Sequence, residues 1–512
     1  MPIRPYSRSN TFLFPPNLEE LLPARHAVRF VATFVDSLSL KDWEKLGADP
    51  AGALEGAPGY APRVLVSVWL YGFMTRVRST RKLEVACQEQ VPLMWLTGWQ
   101  RPDHNTLWRF YERHRAGMRA LFLKTVWTAM ETGLLDLAVQ ALDGTKLQAN
   151  AGRQHSYDAA GLERLEQGVD AAIADLEAQE RTSEGSVPAS LPAELATQQA
   201  LFTEVAKAKA RVDRGSPELQ ELRATKAQVL QAQRRLKKSG LTRINLTDPQ
   251  AVEVKSRQGI VAGYNAQAMV SPLDPAVAGR TGLFVTATDV VAEADDHAQL
   301  LPLLEQAEAN TGQRPETTLA DGGYHSGPNL QVCEQRHQPV MMPEAQRQAV
   351  KEPYHKTAFL YDATTDTYLC PHQKTLHFVG LKQRVGRPEA RIYRAGVIVC
   401  RACPAFGTCT RDHRQGRSLE VGPHEQRLAE HRTWMATQDV KARYRQRKQL
   451  PEPVFGIMKQ QLGIRQFLLR GRNKVKAEWT LLVTAFNLLT LWRVWKQQVP
   501  LMSSEAPMVG AA

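Results

Sequence analysis

The residues best placed to do chemistry in this sequence are three acids far apart in the chain. Asp143 follows the apolar run Leu135–Leu142 and precedes Gly144, and Asp321 follows Thr317–Ala320 and precedes Gly322 and Gly323. Each reads as a carboxylate at the end of a short strand, where a sheet edge opens to solvent, although Asp-Gly after a strand is also an ordinary turn. Glu452 stands alone in a basic field of Arg443, Arg445, Arg447, Lys448, Lys459, Arg465, Arg470 and Arg472. Pro451 suits the first turn of a helix, and Val454, Phe455, Met458 and Leu462 recur at helical spacing. Glu452 therefore falls on the first turn of an amphipathic helix, with Lys459 about two turns on along the same face. A helix N-terminal charge is the plainer role for such a glutamate. Two strand-end acids and one helix acid can converge on one sheet edge, and that set suits two Mg²⁺ ions, which take oxygen ligands and share them with substrate phosphates. Two such ions about 4 Å apart activate the attacking oxygen and stabilise the leaving one in an in-line phosphoryl displacement. The basic field would position a nucleic-acid backbone without reading its sequence.

A second group is sulfur-based. Cys400-x2-Cys403, followed by Pro404, resembles half of a zinc ribbon, and Cys370-Pro371-His372 and Cys409 would complete four ligands for structural Zn²⁺. A second CxxC is missing, so unliganded thiols stand beside zinc as the alternative. Cys87 and Cys333 read as buried small apolar residues.

The elements that must position these groups form an α/β pattern, a mixed sheet flanked by helices. Residues 1–125 read as a helical DNA-binding or dimerisation domain. In it Arg76, Arg78, Arg81 and Lys82 cluster before a helix, and Asp103 caps another that carries Arg109. Such clusters suit a helix-turn-helix-like DNA contact or, equally, the solvated face of a packing domain. Residues 126–152 begin the acid-bearing domain. Residues 153–245 form a coiled-coil-like hairpin on the heptad spacing of Leu162, Leu165, Val169 and Leu176 and of Leu222, Val229 and Leu236, broken at Arg181–Pro192. Residues 246–342 resume the domain with strands at 263–270 and 282–288 around a hairpin loop, a helix over 295–309 burying Leu300, Leu301, Leu303 and Leu304, and strands at 317–320 and 338–342. Residues 343–440 read as a loop-rich, cysteine-bearing insertion, 441–497 as the closing helices and 498–512 as a disordered tail.

Composition sets the partners. Among 512 residues Lys and Arg number 65 against 52 Asp and Glu, a formal charge of +13, which points to a polyanion before any other partner. Six cysteines in this length argue against a secreted disulfide scaffold. The start MPIRPYSRSN lacks the apolar core of a signal peptide. The most apolar stretch, Trp479–Trp492, is too short for a bilayer and contains Asn487. The expectation is a soluble cytoplasmic protein with no membrane partner.

Eight motifs follow in order along nearly the whole chain: PPNLEELLPARHAVRF, YAPRVLVSVWLYGFMTRVRSTRKLEVACQ, RPDHNTLWRF, ALDGTKLQANA, GYNAQAMV, LADGGYHS, CRACPAFGTCT and EPVFGIMKQQLGIRQFLLRGRNKVKAEWTLLVTAFNLLTL. The ordered set resembles the DDE transposases of bacterial insertion sequences, most closely the eleven-eighty-two branch. The resemblance implies an RNase H-like catalytic domain in which Asp143, Asp321 and Glu452 bind Mg²⁺, with Mn²⁺ as an alternative. It also implies cleavage at the element's inverted ends by water and joining through the freed 3′-hydroxyl. Double-stranded end and target DNA are the implied partners of a nucleoid-associated homodimer. Lys459 matches the lysine seven residues beyond the glutamate of the family's Tyr-Arg-Glu-Lys signature. Upstream, the signature positions hold Arg445 and Lys448, with Tyr444 and Arg447 one residue further away. DNA contacts on this reading come from Lys146, Arg447, Lys448, Lys459, Arg465, Arg470 and Arg472, together with Arg76, Arg78, Arg81, Lys82 and Arg109. The alternatives are an inactive or domesticated transposase that binds DNA, and a metal-dependent nuclease that cuts without joining.

Overall fold

The computed structural model describes residues 17–51, 59–183, 216–256, 259–293, 295–344, 353–384, 387–410, 412 and 414–498. Its first eight strands are β1 (Val139–Gln148), the short pair β2 (Ser156–Tyr157) and β3 (Ile244–Asn245), β4 (Val252–Ser256), β5 (Gly259–Pro272), β6 (Leu283–Val291), β7 (Thr317–Ala320) and β8 (Val340–Met341). Six of them build one mixed sheet in the order β4-β5-β1-β7-β8, with β6 also on β5. Gly263 pairs with both Gln148 and Val252, and Asn265 with both Lys146 and Val291. Strand β5 therefore takes β1 along one edge and β4 and β6 end to end along the other. The β1, β5 and β6 pairings are antiparallel, whereas β7 and β8 join in parallel. The mixed α/β architecture expected from the sequence is present.

Alternation along β1 divides the interior in two, because successive side chains point to opposite faces. Ala141 and Leu147 enter a large core with the helix Arg472–Gln498, while Leu142 joins Met269 and Ala287 against the helix Leu300–Thr311. The helix Arg472–Gln498 is buried without interruption from Trp479 to Leu488, the mark of a helix enclosed on all sides. Its Asn487 is buried but satisfied: Oδ1 accepts from the Val285 amide at 3.0 Å, and Nδ2 donates to the Val285 carbonyl at 2.9 Å and to Thr125 Oγ1 at 3.1 Å. That exchange occurs where the β5–β6 register skips Thr286, so the asparagine supplies the pairing that the strands forgo. Among the described residues no helix is long and apolar enough to cross a membrane.

The N-terminal part is helical as expected, and Asp103 caps the helix His104–His114 by accepting from the Thr106 amide at 2.8 Å. The helices Ala159–Ser183 and Pro217–Ser239 pack antiparallel, since Asp170 pairs with Lys226 and Glu177 with Arg223. Leu162, Val229 and Leu236 are buried between them. The break at Arg181–Pro192 begins at the end of the first helix and otherwise lies outside the described residues, as does the tail beyond residue 498.

Two expectations are corrected. Strand β1 does not stop at Asp143 but runs through Gly144 to Gln148, so Asp-Gly is not a turn here. Among its described residues the stretch 343–440 is not loop-rich. It holds a five-stranded antiparallel sheet, β9 (Leu360–Asp362), β10 (Thr367–Leu369), β11 (Thr375–Arg384), β12 (Arg387–Arg394) and β13 (Ser418–Val421), followed by the helices Glu425–Met435 and Gln438–Tyr444. Most of β11 faces solvent, so its sequence carries little of the apolar alternation that marks a half-buried strand.

Candidate functional site

The parallel β1–β7 ladder ends at the pair Leu142↔Ala320. Asp143 and Asp321 are the next residue on each strand, so the two acids emerge side by side where the ladder stops. Each carboxylate is steadied locally: Asp143 Oδ1 accepts from the Gly144 amide at 2.8 Å, and Asp321 Oδ1 from the Gly323 amide at 2.7 Å. Glu452 lies on the first turn of the helix Pro451–Gln460, whose Val454, Phe455 and Met458 enter the large core. This helix covers the face of β1 that carries Asp143 and Thr145, and Lys459 donates from Nζ to Thr145 Oγ1. Glu452 and Lys459 do share a face.

One guanidinium stands among the three acids. Arg447 Nη2 is 2.9 Å from Asp143 Oδ2 and 3.8 Å from Asp321 Oδ2, and Nη1 is 4.0 Å from Glu452 Oε1. Tyr444 donates its hydroxyl to the Ala320 carbonyl at 3.1 Å. The structure thus brings Tyr444 and Arg447 to the acids, while Arg445 and Lys448 are exposed. Asp143 is the least exposed of the three carboxylates, at 16%. Burial pushes its carboxyl up to about 6, opposed by the Arg447 charge and the Gly144 amide and assisted by Asp321 and Asp296. Tyr444 is raised to about 12 by burial.

Asp296 is a fourth acid that the sequence reading missed. It lies on the other face of the sheet, where its Oδ1 accepts from Asn265 Nδ2 at 2.6 Å and Gln267 Nε2 at 2.7 Å, with Lys146 Nζ at 3.2 Å. Lys146 therefore faces away from Thr145 and is paired with Asp296. Tyr324 donates to Gln267 Oε1 and completes the network. A Cβ on Gly323 would stand 2.8 Å from Asp321 Oδ1 and 3.4 Å from Asp296 Oδ2, so a glycine is what lets the two carboxylates approach. The available signal was the pair Asn265 and Gln267, polar residues two apart in an otherwise apolar buried strand.

The remaining basic candidates divide. Arg76 Nη2 donates to the Gln460 carbonyl at 2.8 Å, and Arg78 Nη1 pairs with the buried Glu478 at 3.0 Å. They thus tie the N-terminal helices to the C-terminal end of the Glu452 helix and to the helix Arg472–Gln498. Arg470 Nε donates to the Asn150 carbonyl at 2.8 Å, and Arg465 Nη2 to Gln460 Oε1 at 3.1 Å. Arg81, Lys82, Arg109, Lys448 and Arg472 are exposed.

Among the described residues no three His, Cys, Asp or Glu side chains are already grouped to hold a metal ion. At the acid site the carboxylates are spread around the Arg447 guanidinium instead of converging on one point. Cys370, Cys400, Cys403 and Cys409 line a single small cavity in the five-stranded unit. Cys87 and Cys333 are buried, and burial pushes both thiols up to about 11.

Comparison with known families gives two matches. Residues 369–492 match the family described as Transposase DDE domain, and residues 16–113 match Transposase domain (DUF772). The first match contains Glu452, Arg447 and the four cavity cysteines. Together the two support a DDE transposase family and indicate a transposase. No curated protein matches the chain.

Proposed function

We propose that this chain is the DDE transposase of a bacterial insertion sequence, of the eleven-eighty-two branch, acting in the cytoplasm as a homodimer on double-stranded element ends and target DNA. The observation that carries the reading is the gathering of Asp143, Asp321 and Glu452 around one cation, the Arg447 guanidinium. Three oxygen-donor side chains that already accommodate a positive charge fit hard divalent cations. The sheet supports an RNase H-like catalytic domain: three antiparallel strands, β1, β5 and β6, are extended beyond β1 by the parallel β7 and β8. On this reading residues 1–125 are the N-terminal domain. Residues 126–152, 246–342 and 441–497 form the catalytic domain, interrupted by the helical arm 153–245 and the cysteine-bearing unit 343–440.

Asp143, Asp321 and Glu452 would hold two Mg²⁺ ions, which when bound activate the attacking oxygen and stabilise the leaving one. The protein's own contribution is positioning and fixed charge, which dominate phosphoryl transfer. Asp143 is fixed in a strand and Asp321 by the Gly323 amide, so both carboxylates are carried by a rigid sheet edge. Arg447 holds the place of positive charge among the acids, and with cations bound there its guanidinium would be available to backbone phosphates. Lys459, held against Thr145, adds a fixed positive charge beside the same strand. Exposed Lys448 and Arg472 supply sequence-independent contacts to flanking phosphates.

The test is cleavage of labelled element-end DNA in Mg²⁺ by the parent and by Asp321→Asn, with DNA binding measured in parallel. Cutting and joined product from the parent alone, with binding retained by the variant, is expected. Cleavage by the variant would remove Asp321 from the site. Cutting without joining would identify a nuclease, and binding without cutting by either protein a DNA-binding relic.

A further inference from the structure

The five-stranded unit between Asp321 and Glu452 has a core of its own, made by Phe359, Tyr368, Leu376, Tyr393, Leu419 and Val421. At one side of that core lies a cavity of about 20 Å³, room for one water-sized body. Its wall includes Cys370 from the turn after β10, Cys400 from the helix Val397–Arg401, Cys403 from the turn that follows, and Cys409 from the loop before β13. Separate short elements thus each bring a cysteine to the wall of the same small space.

Backbone amides also fix two of these sulfurs at the cavity wall. The Lys374 amide donates to Cys370 Sγ at 3.2 Å, and the Arg417 amide to Cys400 Sγ at 3.4 Å. Arg417 also lines the cavity, and its buried Nε lacks a hydrogen-bond partner among the described residues. Its other guanidinium nitrogens donate to the Cys409 carbonyl at 2.9 Å and the Tyr354 carbonyl at 2.8 Å, which ties the Cys409 loop to the cavity wall. His372 lines the cavity as well, with its Nε2 against the Tyr354 hydroxyl at 3.2 Å.

We propose that Cys370, Cys400, Cys403 and Cys409 form a structural Zn²⁺ site that locks this unit. Four thiolates suit zinc's tetrahedral preference and leave no open position for catalysis. The four cysteines line an ion-sized space and are not grouped at ligand spacing; Zn–S bonds of about 2.3 Å would draw them inward. The ion's place in the fold follows from the connections. Cys370 stands between β10 and β11, and Cys400 and Cys403 between β12 and β13. One ion therefore pins both connections, in a unit whose sheet exposes much of β11 and buries little. This site is independent of the acid cluster and of the transposase reading.

The experiment uses the full chain, expressed with added zinc and passed through desalting. Elemental analysis is expected to give about one zinc per chain, the count of one four-ligand site. Replacing zinc with Co²⁺ should produce a thiolate-to-cobalt charge-transfer band with tetrahedral ligand-field absorption. Titration of the native protein with a mercurial should release the metal as four thiols react, with Cys87→Ser/Cys333→Ser behaving as the parent does. Cys403→Ser should lose the zinc and the charge-transfer band. Should that variant be insoluble, mercurial-driven release from the parent still decides the matter. Protein with no zinc under these conditions, or cobalt spectra without a sulfur charge-transfer band, would overturn the site.

Discussion

Asp143 carries a stability cost that its function would explain, and Asp143→Asn exposes it. Burial moves this carboxyl from an ordinary 3.8 up to about 6, even with the Arg447 guanidinium 2.9 Å away. The folded protein thus binds this proton more tightly than the unfolded chain does. The group's favourable contribution is present below about pH 4 and is lost as pH rises through about 6. At roughly 1.4 kcal/mol per pKa unit, the loss is on the order of 3 kcal/mol. The attraction of Arg447 is already contained in this net shift. An asparagine has nearly the shape of the protonated acid and no proton to lose. In chelator, to keep cations out, Asp143→Asn is expected to match the parent near pH 4 and to exceed it at pH 7.5 by up to about 3 kcal/mol, a rise in Tm of roughly 3–5 °C for a cooperative unit this large. Scanning calorimetry of both proteins at half-unit steps from pH 4.5 to 7.5 measures the gap. A parent as stable as the variant at pH 7.5, or a gap that stays level across the series, refutes the argument that burial dominates at this site.

The same cluster predicts the opposite effect for its cation. Arg447→Gln leaves three carboxylates without their shared positive charge and should cost about 2 kcal/mol in chelator, below the full penalty for a broken buried pair because Asp321 and Glu452 are partly exposed. Added Mg²⁺ should raise the variant's Tm more than the parent's; equal shifts in the two would count against it. Glu478 is 3% exposed, 3.0 Å from Arg78, and accepts from the Leu468 and Leu469 amides, each at 3.0 Å. Glu478→Ala should therefore destabilise by about 3–5 kcal/mol and speed amide exchange at residues 468 and 469, while unchanged exchange there would deny it the clamp role. Asn487→Leu strands both backbone groups of Val285 and should cost about 2–4 kcal/mol, checked by the shift in urea midpoint; a neutral result would mean that the β5–β6 irregularity repairs itself.

Much of the fold is legible from sequence where one physical signal dominates. Thr317–Ala320 is four residues flanked by loop signals, and the strand has those bounds. Heptad leucines announce the antiparallel arm, and Pro451 the start of its helix. Local signals fail where the environment, not the residue type, decides. Asp143-Gly144 has turn chemistry, yet pairing of Gly144 with Gln267 across β5 keeps it extended. Strands β11 and β12 bury too few side chains to display a period. Arg76 and Arg78 resemble a free basic cluster in sequence, and only the tertiary fold shows them bound to the Gln460 carbonyl and to Glu478.

The site itself shows why spacing rules misassign neighbours. On one continuous α-helix, Arg447 and Glu452 would be five residues and about 140° apart, facing away from each other. By the same rule Lys448, four residues before Glu452, would share its face. The chain does not run as one helix. Residues Arg445–Gln449 form a 3-10 turn, Leu450 adopts φ −100° and ψ −71°, and a new helix starts at Pro451. Proline lacks the N–H that would continue the preceding turn and fixes the break. The tighter turn and the break together rotate Arg447 onto the acids and leave Lys448 exposed. A one-residue departure from a spacing pattern is thus absorbed by backbone geometry, and the residue that matters is the one whose guanidinium reaches three carboxylates, not the one at the expected offset.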